Sequence, residues 1–332
     1  MSGVAISVVV PTRDRAAVLG SSLASIAAQR TSDPFEVIVV DNASTDATPE
    51  VVRDWCRRDE RFRALREERL GRSPAMNAGI AVARGPLLAF TDDDIELGPG
   101  WLEAFRAFFA EHTGSLVIAG GAIEAAPPDL STWPSWLSEA SLADGPGLDH
   151  GAVQRPLAAH EFIWGASMAA PADVFRRLGT WDESVGRRGD HRGTYEDTEF
   201  QRRIREAGGE VWYLPAARLR HRVARAEVTP RRVLDRAFRT GRNLAWFPAA
   251  GASAAPSGPG RAAARFGSWL VAVAAFRMRP SSERFDAARL AARAAGEDGE
   301  RAASRHGTVR ARAQRLSWLA ARAILRLAPD RT

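Results

Sequence analysis

Apolar runs that stop abruptly at polar clusters organise the first hundred residues. Residues 4–10 form a β-branched run halted by Pro11, the pattern of a buried strand. A polar loop, Thr12-Arg13-Asp14-Arg15, follows. Residues 16–29 then place Val18, Leu19, Leu23 and Ile26 at helical spacing. A second apolar run, 35–40, ends in Asp41-Asn42-Ala43-Ser44-Thr45-Asp46, and a helix is expected over 48–58. Gly71-Arg72-Ser73-Pro74 reads as a loop opening a helix that Gly85 caps. A third run, 87–90, ends in Thr91-Asp92-Asp93-Asp94. Strand–helix alternation predicts an α/β fold with a mostly parallel sheet and crossover helices.

Ligands of such sheets sit beyond the carboxyl ends of the strands. Parallel strands would bring the three polar loops to one edge. Three adjacent carboxylates repel, so the simplest partner is a divalent cation, which could in turn hold a phosphate or diphosphate. A solvated acidic turn is the alternative. Arg72 could meet a phosphate or a base, and Asn77 could bond the neighbouring strand-end loops. Each could equally be local, as a solvated arginine and an Asn hydrogen bond.

The second half is less regular. Trp101, Phe105, Phe108 and Phe109 mark a helix, and 115–121 a strand. Residues 125–156 are rich in Pro, Gly, Ser and Asp, as in a long functional loop or lid. Trp133 and Trp136 within it could stack on the rings of a ligand or pack in a core. Residues 162–169 read as a strand with a small-residue bend at Trp164-Gly165-Ala166, and 186–194 as a polar loop. Glu196 and Asp197 then precede a helix ending at Gly208-Gly209, which Asp197 could cap. A short strand, 210–215, leads to His221. Beyond it lie a basic helix over 230–244, a Pro/Ala/Gly/Ser linker over 248–260 and Ala/Arg-rich helices.

Composition narrows the reading. The 332 residues carry 46 basic and 40 acidic side chains, net +6, and lysine is absent. Replacement of lysine by arginine raises the pI without any function and accounts for the basic character of the catalytic half, while that of the C-terminal tail stays open; nucleic acid is not expected as a partner. A P-loop is excluded without lysine, and no Gly-rich fingerprint follows the first strand. The single cysteine, Cys56, rules out an internal disulfide framework. No leader or spanning segment is expected. Leu316, Leu319, Ala320, Ala323, Ile324 and Leu327 share a helical face flanked by Arg315, Arg322 and Arg326. That basic amphipathic helix either packs on its own domain or lies on anionic lipid.

With these motifs in order, the chain resembles glycosyltransferase family 2. The resemblance rests on Val8-Val9-Val10-Pro11-Thr12-Arg13, Val39-Val40-Asp41-Asn42-Ala43-Ser44-Thr45-Asp46, Asn77-Ala78-Gly79 and Phe90-Thr91-Asp92-Asp93-Asp94. It continues through Trp164-Gly165-Ala166-Ser167, Leu178-Gly179-Thr180-Trp181-Asp182-Glu183, Glu196-Asp197 and Leu214-Pro215 to His221. It implies an α/β GT-A (nucleotide-diphospho-sugar transferase) fold, its mostly parallel central sheet flanked by helices, with a helical C-terminal extension. Residues 1–245 would form the GT-A domain, 1–120 being the nucleotide-binding half and 121–245 the acceptor-binding half. Residues 246–332 would be linker and basic helical tail.

The resemblance also implies roles. Asp41 would read the donor's nucleobase, Pro11, Thr12 and Arg13 would line its pocket, and Arg72 and Asn77 would complete it. Asp92 would face the ribose and Asp94 hold Mn²⁺ or Mg²⁺, with Asp93 able to take either part and His221 a further ligand. Trp164, Gly165 and Ala166 would lie on the acceptor side. Asp197 would be the catalytic base, with Glu196 beside it. The implied activity is metal-dependent transfer from a nucleoside-diphosphate sugar to a hydroxyl of a saccharide or lipid-linked saccharide, with inversion. Polysaccharide, glycolipid or glycosylated natural-product synthesis would be the setting. A cytoplasmic location is expected, with the basic helix a candidate for peripheral contact with the inner face of the plasma membrane. The rivals are a nucleotidyltransferase acting on a sugar phosphate and a non-catalytic carbohydrate- or membrane-binding module on the same fold. The synthase motif Gln-x-x-Arg-Trp is not matched, because Gln201-Arg202-Arg203-Ile204-Arg205 lacks the Trp.

Overall fold

The computed structural model describes residues 3–127, 132–138, 141–142, 146–184, 187–188, 191–192, 196–244, 259–303 and 319–328. Contacts divide the chain into two compact units. One comprises Met1–Glu124 with Leu148–Arg222, the other Ala125–Gly147 with Val223–Thr332.

The first unit begins β1 (Ile6–Thr12), α1 (Ala16–Ala27), β2 (Phe35–Asp41), α2 (Thr48–Arg58), β3 (Phe62–Arg66), α3 (Arg72–Val82), β4 (Leu87–Thr91). β5 (Ile95–Leu97), α4 (Trp101–Glu111), β6 (Val117–Ala126), β7 (Arg155–Pro156), β8 (Ser167–Pro171) and α5 (Ala172–Leu178) follow. A two-stranded ribbon, β9 (Arg187–Arg188) and β10 (His191–Arg192), precedes α6 (Glu196–Glu206) and β11 (Glu210–Arg222). The main sheet has the order β3-β2-β1-β4-β8-β6-β11-β5, with β7 paired to β11. β3, β2, β1 and β4 run parallel, while β8 pairs antiparallel with β4 and β6.

Successive side chains of a strand point to opposite faces, and the core follows that parity. Val8, Val10, Val37 and Val39 share one cluster with Leu19, Leu23 and Ile26 of α1 and the aromatics of α4. Val9, Ile38, Val40 and Phe90 share the other with Met76 of α3, Phe175 of α5 and Phe200 of α6. Strands covered on both faces read as continuous apolar runs, which is why β1, β2 and β4 were legible. Their parallel pairing brings Thr12, Asp41 and Arg66 to the same level at the carboxyl edge.

Several elements depart from the sequence expectations. β3 carries two arginines in five residues and lies at the sheet edge, so it offers little apolar signal. Of 162–169, only the part from Ser167 onward is strand. β11 runs well past 215. Pro215 falls between the residues paired with β7 and those paired with β5, so its missing N–H breaks no ladder on that side.

The second unit contains α7 (Pro230–Leu244), α8 (Pro259–Met278) and α9 (Ser282–Ala303). Leu234 and Phe238 of α7 share a core with Trp269, Val273 and Phe276 of α8 and with Phe285, Ala288 and Ala292 of α9. Contacts therefore group α7 with the later helices, in the unit that resumes at Val223. Trp136 is buried in the same core, with its ring 4.5 Å from Phe285. It is a packing residue, not an exposed sugar platform. Residues 319–328 bury Ala321, Ile324, Leu325 and Ala328 and leave Leu319 and Leu327 exposed, so the expected single apolar face is split. Residues 315 and 316 of that face, most of the 186–194 loop and most of the linker lie outside the described residues. Among the described residues, no helix is long and apolar enough to cross a membrane.

Candidate active site

The loops after β1 and β2 are stitched together. The Asp14 N–H donates to Ser44 Oγ at 3.0 Å, and Thr45 N–H donates to Asp14 Oδ1 at 2.7 Å. That backbone bond, aided by the Thr45 hydroxyl, holds the Asp14 carboxyl below the usual carboxylate range. Asp14 and Ala43 both have positive φ, 51° and 54°, a conformation costly for a side chain with a Cβ. Asp41 is buried at the end of β2, accepting from Ser44 N–H at 3.0 Å and from Arg66 Nη1 at 2.6 Å. Asn42 anchors the approach to α3. Its amide donates to the Glu67 and Arg69 carbonyls, and its Oδ1 accepts from Gly71 N–H at 2.8 Å. Arg72 therefore leaves a fixed turn.

The three carboxylates after β4 have separate surroundings. Asp92 faces Arg72, with Nη2 to Oδ1 at 2.9 Å. Asp94 lies between Arg15, at 3.3 Å, and His221 Nε2, at 3.5 Å. Asp93 is buried, with Arg15 Nε 3.6 Å away. Burial is the main reason its carboxyl is pushed up to about 7, and the Asp94 charge adds to the rise while Arg15 opposes it. Thr12 Oγ1 also favours the charged form, although this buried hydroxyl completes no hydrogen bond of good geometry.

Ser22 of α1 fixes the turn from behind. Its hydroxyl oxygen lies 2.8 Å from the Asp93 carbonyl and 2.9 Å from that of Ile95, and it accepts from Ile95 N–H at 3.1 Å. Ser22→Ala leaves these buried backbone groups unpaired and is expected to cost about 1–3 kcal/mol in a urea melt.

A raised carboxyl pKa has a definite linkage sign. Asp93 binds a proton more tightly folded than unfolded, so its contribution to stability is complete below pH 3.8 and is lost as pH rises through about 7. In chelator-treated protein, Asp93→Asn is expected to melt increasingly above wild type as pH goes from 5 to 8. A pH-independent difference would contradict that assignment.

Arg72 joins the donor-side turn to the start of α6. Its Nη1 donates to Asp197 Oδ1 at 3.1 Å and to Glu196 Oε1 at 3.3 Å. Burial alone would lower its pKa, but Asp92, Asp197 and Glu196 more than offset that and hold it above the ordinary arginine range. Asp197 Oδ2 accepts from Gly165 N–H at 2.8 Å. A Cβ at Gly165 would lie 2.6 Å from Asp197 Oδ1 and 2.8 Å from Arg72 Nη2, so only glycine lets this backbone approach. Asp197 lies within α6, one residue after its first, and its side chain turns to Gly165 and Arg72 instead of capping the helix.

The structure thus gathers Arg72, Asp92, Gly165, Glu196 and Asp197 in one group, and Thr12, Asp93, Asp94 and His221 in another. Five carboxylates in these groups share the two guanidiniums of Arg15 and Arg72. Asp41 stands apart with Arg66. Arg13 turns to Asp14 at 3.5 Å and is partly exposed. Pro11 stays in β1, and Ala166 is buried. Trp164 packs on the core with its indole N–H buried and unpartnered. Asn77 does not reach the strand-end loops: it exchanges two bonds with the Trp181 backbone and donates to Glu183, tying α3 to that segment. Arg15, Ser22, Asn42 and Gln201 were not singled out from sequence. For Arg15 the signal was available, since three carboxylates need a cation and it stands in a converging loop.

Among the described residues, no three His, Cys, Asp or Glu side chains converge as a closed metal site. An open one fits better. Asp94 with His221 offers two ligands on a side with excess negative charge, and small hard cations are commonly held by one or two carboxylates plus substrate phosphates.

Residues 7–148 match the family model described as Glycosyl transferase family 2. Validoxylamine A glucosyltransferase of Streptomyces hygroscopicus subsp. jinggangensis is 30% identical over 200 residues, covering 54% of this chain and 47% of that protein. The chain thus spans about half the length of that curated relative. Glucosyl-dolichyl phosphate glucuronosyltransferase of Haloferax volcanii is 24% identical over 221 residues, 66% of this chain and 69% of that one. Among solved structures, a mannosyltransferase from Pyrobaculum calidifontis in complex with GDP-Man and Mn²⁺ aligns with a TM-score of 0.52 at 19% identity. It covers 97% of this chain and 85% of that chain, and the likeness shows the GT-A fold.

Proposed function

We propose that the chain transfers a sugar from a nucleoside-diphosphate donor to an acceptor hydroxyl, a reading supported by the match of residues 7–148 to the glycosyl transferase family 2 model. One observation carries this reading: a single guanidinium, Arg72, connects Asp92 on the donor side to Asp197 beside the Gly165 bend. A leaving-group side and a candidate base therefore lie within one side chain's reach.

Asp41, Thr12 and Arg13 hold the nucleobase end, and Asp92 the ribose. Asp94 and His221 would hold a divalent cation, Mn²⁺ or Mg²⁺, which would supply Lewis-acid stabilisation of the negative charge on the departing diphosphate. Arg15 must share or release Asp94 for this to happen. Asp197 accepts the acceptor's hydroxyl proton as that oxygen bonds to the anomeric carbon. The bond to the diphosphate oxygen breaks in the same displacement, the nucleoside diphosphate leaves with the electron pair, and the anomeric configuration inverts. Glu196 keeps Arg72 oriented. By their names, the relatives are a validoxylamine A glucosyltransferase and a glucosyl-dolichyl phosphate glucuronosyltransferase. A saccharide or lipid-linked saccharide acceptor fits either precedent. Peripheral contact of the second unit with anionic lipid is supported by its 21 arginines against 11 acidic residues, and by exposed Leu319 and Leu327.

The test is a panel of UDP-, GDP- and dTDP-sugars with Mn²⁺, read as released nucleotide and as donor-dependent thermal shift. Binding and turnover of one donor, abolished by chelation, is the expected result. No response to any donor would favour a non-catalytic module.

A further inference from the structure

The Gly165 bend has no strand partner of its own at Ile163, yet it is held rigidly. Gln201 of α6 is fully buried. Its Oε1 accepts from Ile163 N–H at 2.9 Å, and its Nε2 donates to the Ile163 carbonyl at 2.9 Å. The same Nε2 lies 2.9 Å from the Asp197 carbonyl, one helical turn earlier. A side-chain amide is thus paired with a main-chain unit as a neighbouring strand would be, satisfying both of its polar groups. The Ile163 side chain packs against Gly120 of β6, where a Cβ would approach to 2.4 Å, so the residue is fixed from two sides. Two residues on, Gly165 N–H reaches Asp197 Oδ2. Trp164 closes the bend by accepting Ser167 N–H at 3.0 Å.

α6 therefore grips the bend twice, through Gln201 at Ile163 and through Asp197 at Gly165. The two grips are four residues apart on one helix, so they face the same way. We propose that Gln201 is a positioning residue for the reaction: it sets the Gly165 N–H, and through it the orientation of the Asp197 carboxylate toward the acceptor. This rests on the reading of Asp197 as the base. Gln201 touches no group assigned to the donor, so its effect belongs to the chemical step and not to donor binding. Misplacement of a reacting group by about 1 Å can cost on the order of 100-fold in rate.

The test compares wild type, Gln201→Met and Gln201→Glu using the donor found in the panel and its acceptor. Gln201→Met keeps length but cannot pair Ile163, and it should lower kcat on the order of 10- to 100-fold with donor KM unchanged. Gln201→Glu serves if the Met variant does not fold. Its ionised form repels the Ile163 and Asp197 carbonyls, while its protonated form can donate to one and still accept from Ile163 N–H. The activity of Gln201→Glu relative to wild type, expressed per folded molecule as read by circular dichroism at each pH, should therefore rise as pH falls. Unchanged kcat in a folded Met variant, a parallel change in donor affinity, or a flat pH ratio for the Glu variant would overturn the proposal. If the wild type turns over no donor, the reading of the site falls and takes this inference with it. If the wild type turns over and Gln201→Met matches it, the inference alone falls.

Discussion

On the proposed reading of Asp197 as base, Asp197→Asn is expected to lower kcat by about 10²- to 10⁴-fold while donor affinity stays near wild type, because proton removal from the acceptor is lost and no donor-side residue is replaced. The substitution keeps shape and one acceptor oxygen. Arg72 and the Gly165 N–H, however, both donate to Asp197 now, at 3.1 and 2.8 Å, so one of them meets an amide NH₂ instead. A modest loss of stability is the accompanying effect. Steady-state rates with saturating acceptor, together with donor titration by calorimetry, separate the two. Full transfer by the Asn variant with a true acceptor would remove Asp197 from the role of base.

The second large effect falls on stability. Arg72→Ala is expected to cost about 3–5 kcal/mol, the usual consequence of leaving buried charge uncompensated. Arg72 is the cation shared by Asp92, Glu196 and Asp197, and its side chain is only 15% exposed. Glu196, at 4%, is the least exposed of the three carboxylates that share it. Arg72→Lys should be intermediate: it restores charge, but one ammonium does not reproduce a planar fork spanning both sides. Urea melts with unchanged m-value would read these losses directly. A fall below 1 kcal/mol for Arg72→Ala would mean that solvent already screens the group.

Stability and chemistry meet in the same side chain for an electrostatic reason. Five carboxylates at the site share two guanidiniums. Arg72 and Arg15 hold it together by local pairing. Burial, with the Asp94 charge adding to it, pushes the Asp93 carboxyl up to about 7 despite Arg15.

The residues alone determined the strand–helix rhythm, the three polar strand ends and the two carboxylate motifs. These rest on interactions near in sequence, apolar periodicity and β-branching, although β1 runs through Pro11 to Thr12 and α3 ends at Val82 with Ala83, not Gly85, as its cap. The face assignment of β1, β2 and β4 follows from the alternation of their side chains. Which polar groups meet was not local in the same sense. Arg72 lies 124 and 125 positions from Glu196 and Asp197, Asn77 lies 104 from Trp181, and Ser22 lies 71 from Asp93. No periodicity encodes such pairings. They exist because sheet order and helix packing bring distant loops to one edge, where burial makes an unpaired charge costly. The same reason hid β3, whose arginines at a sheet edge look like loop, and Trp136, whose burial depends on helices more than a hundred residues later. The triple carboxylate was visible at once; its division among Arg72, Arg15 and His221 was decided by the fold.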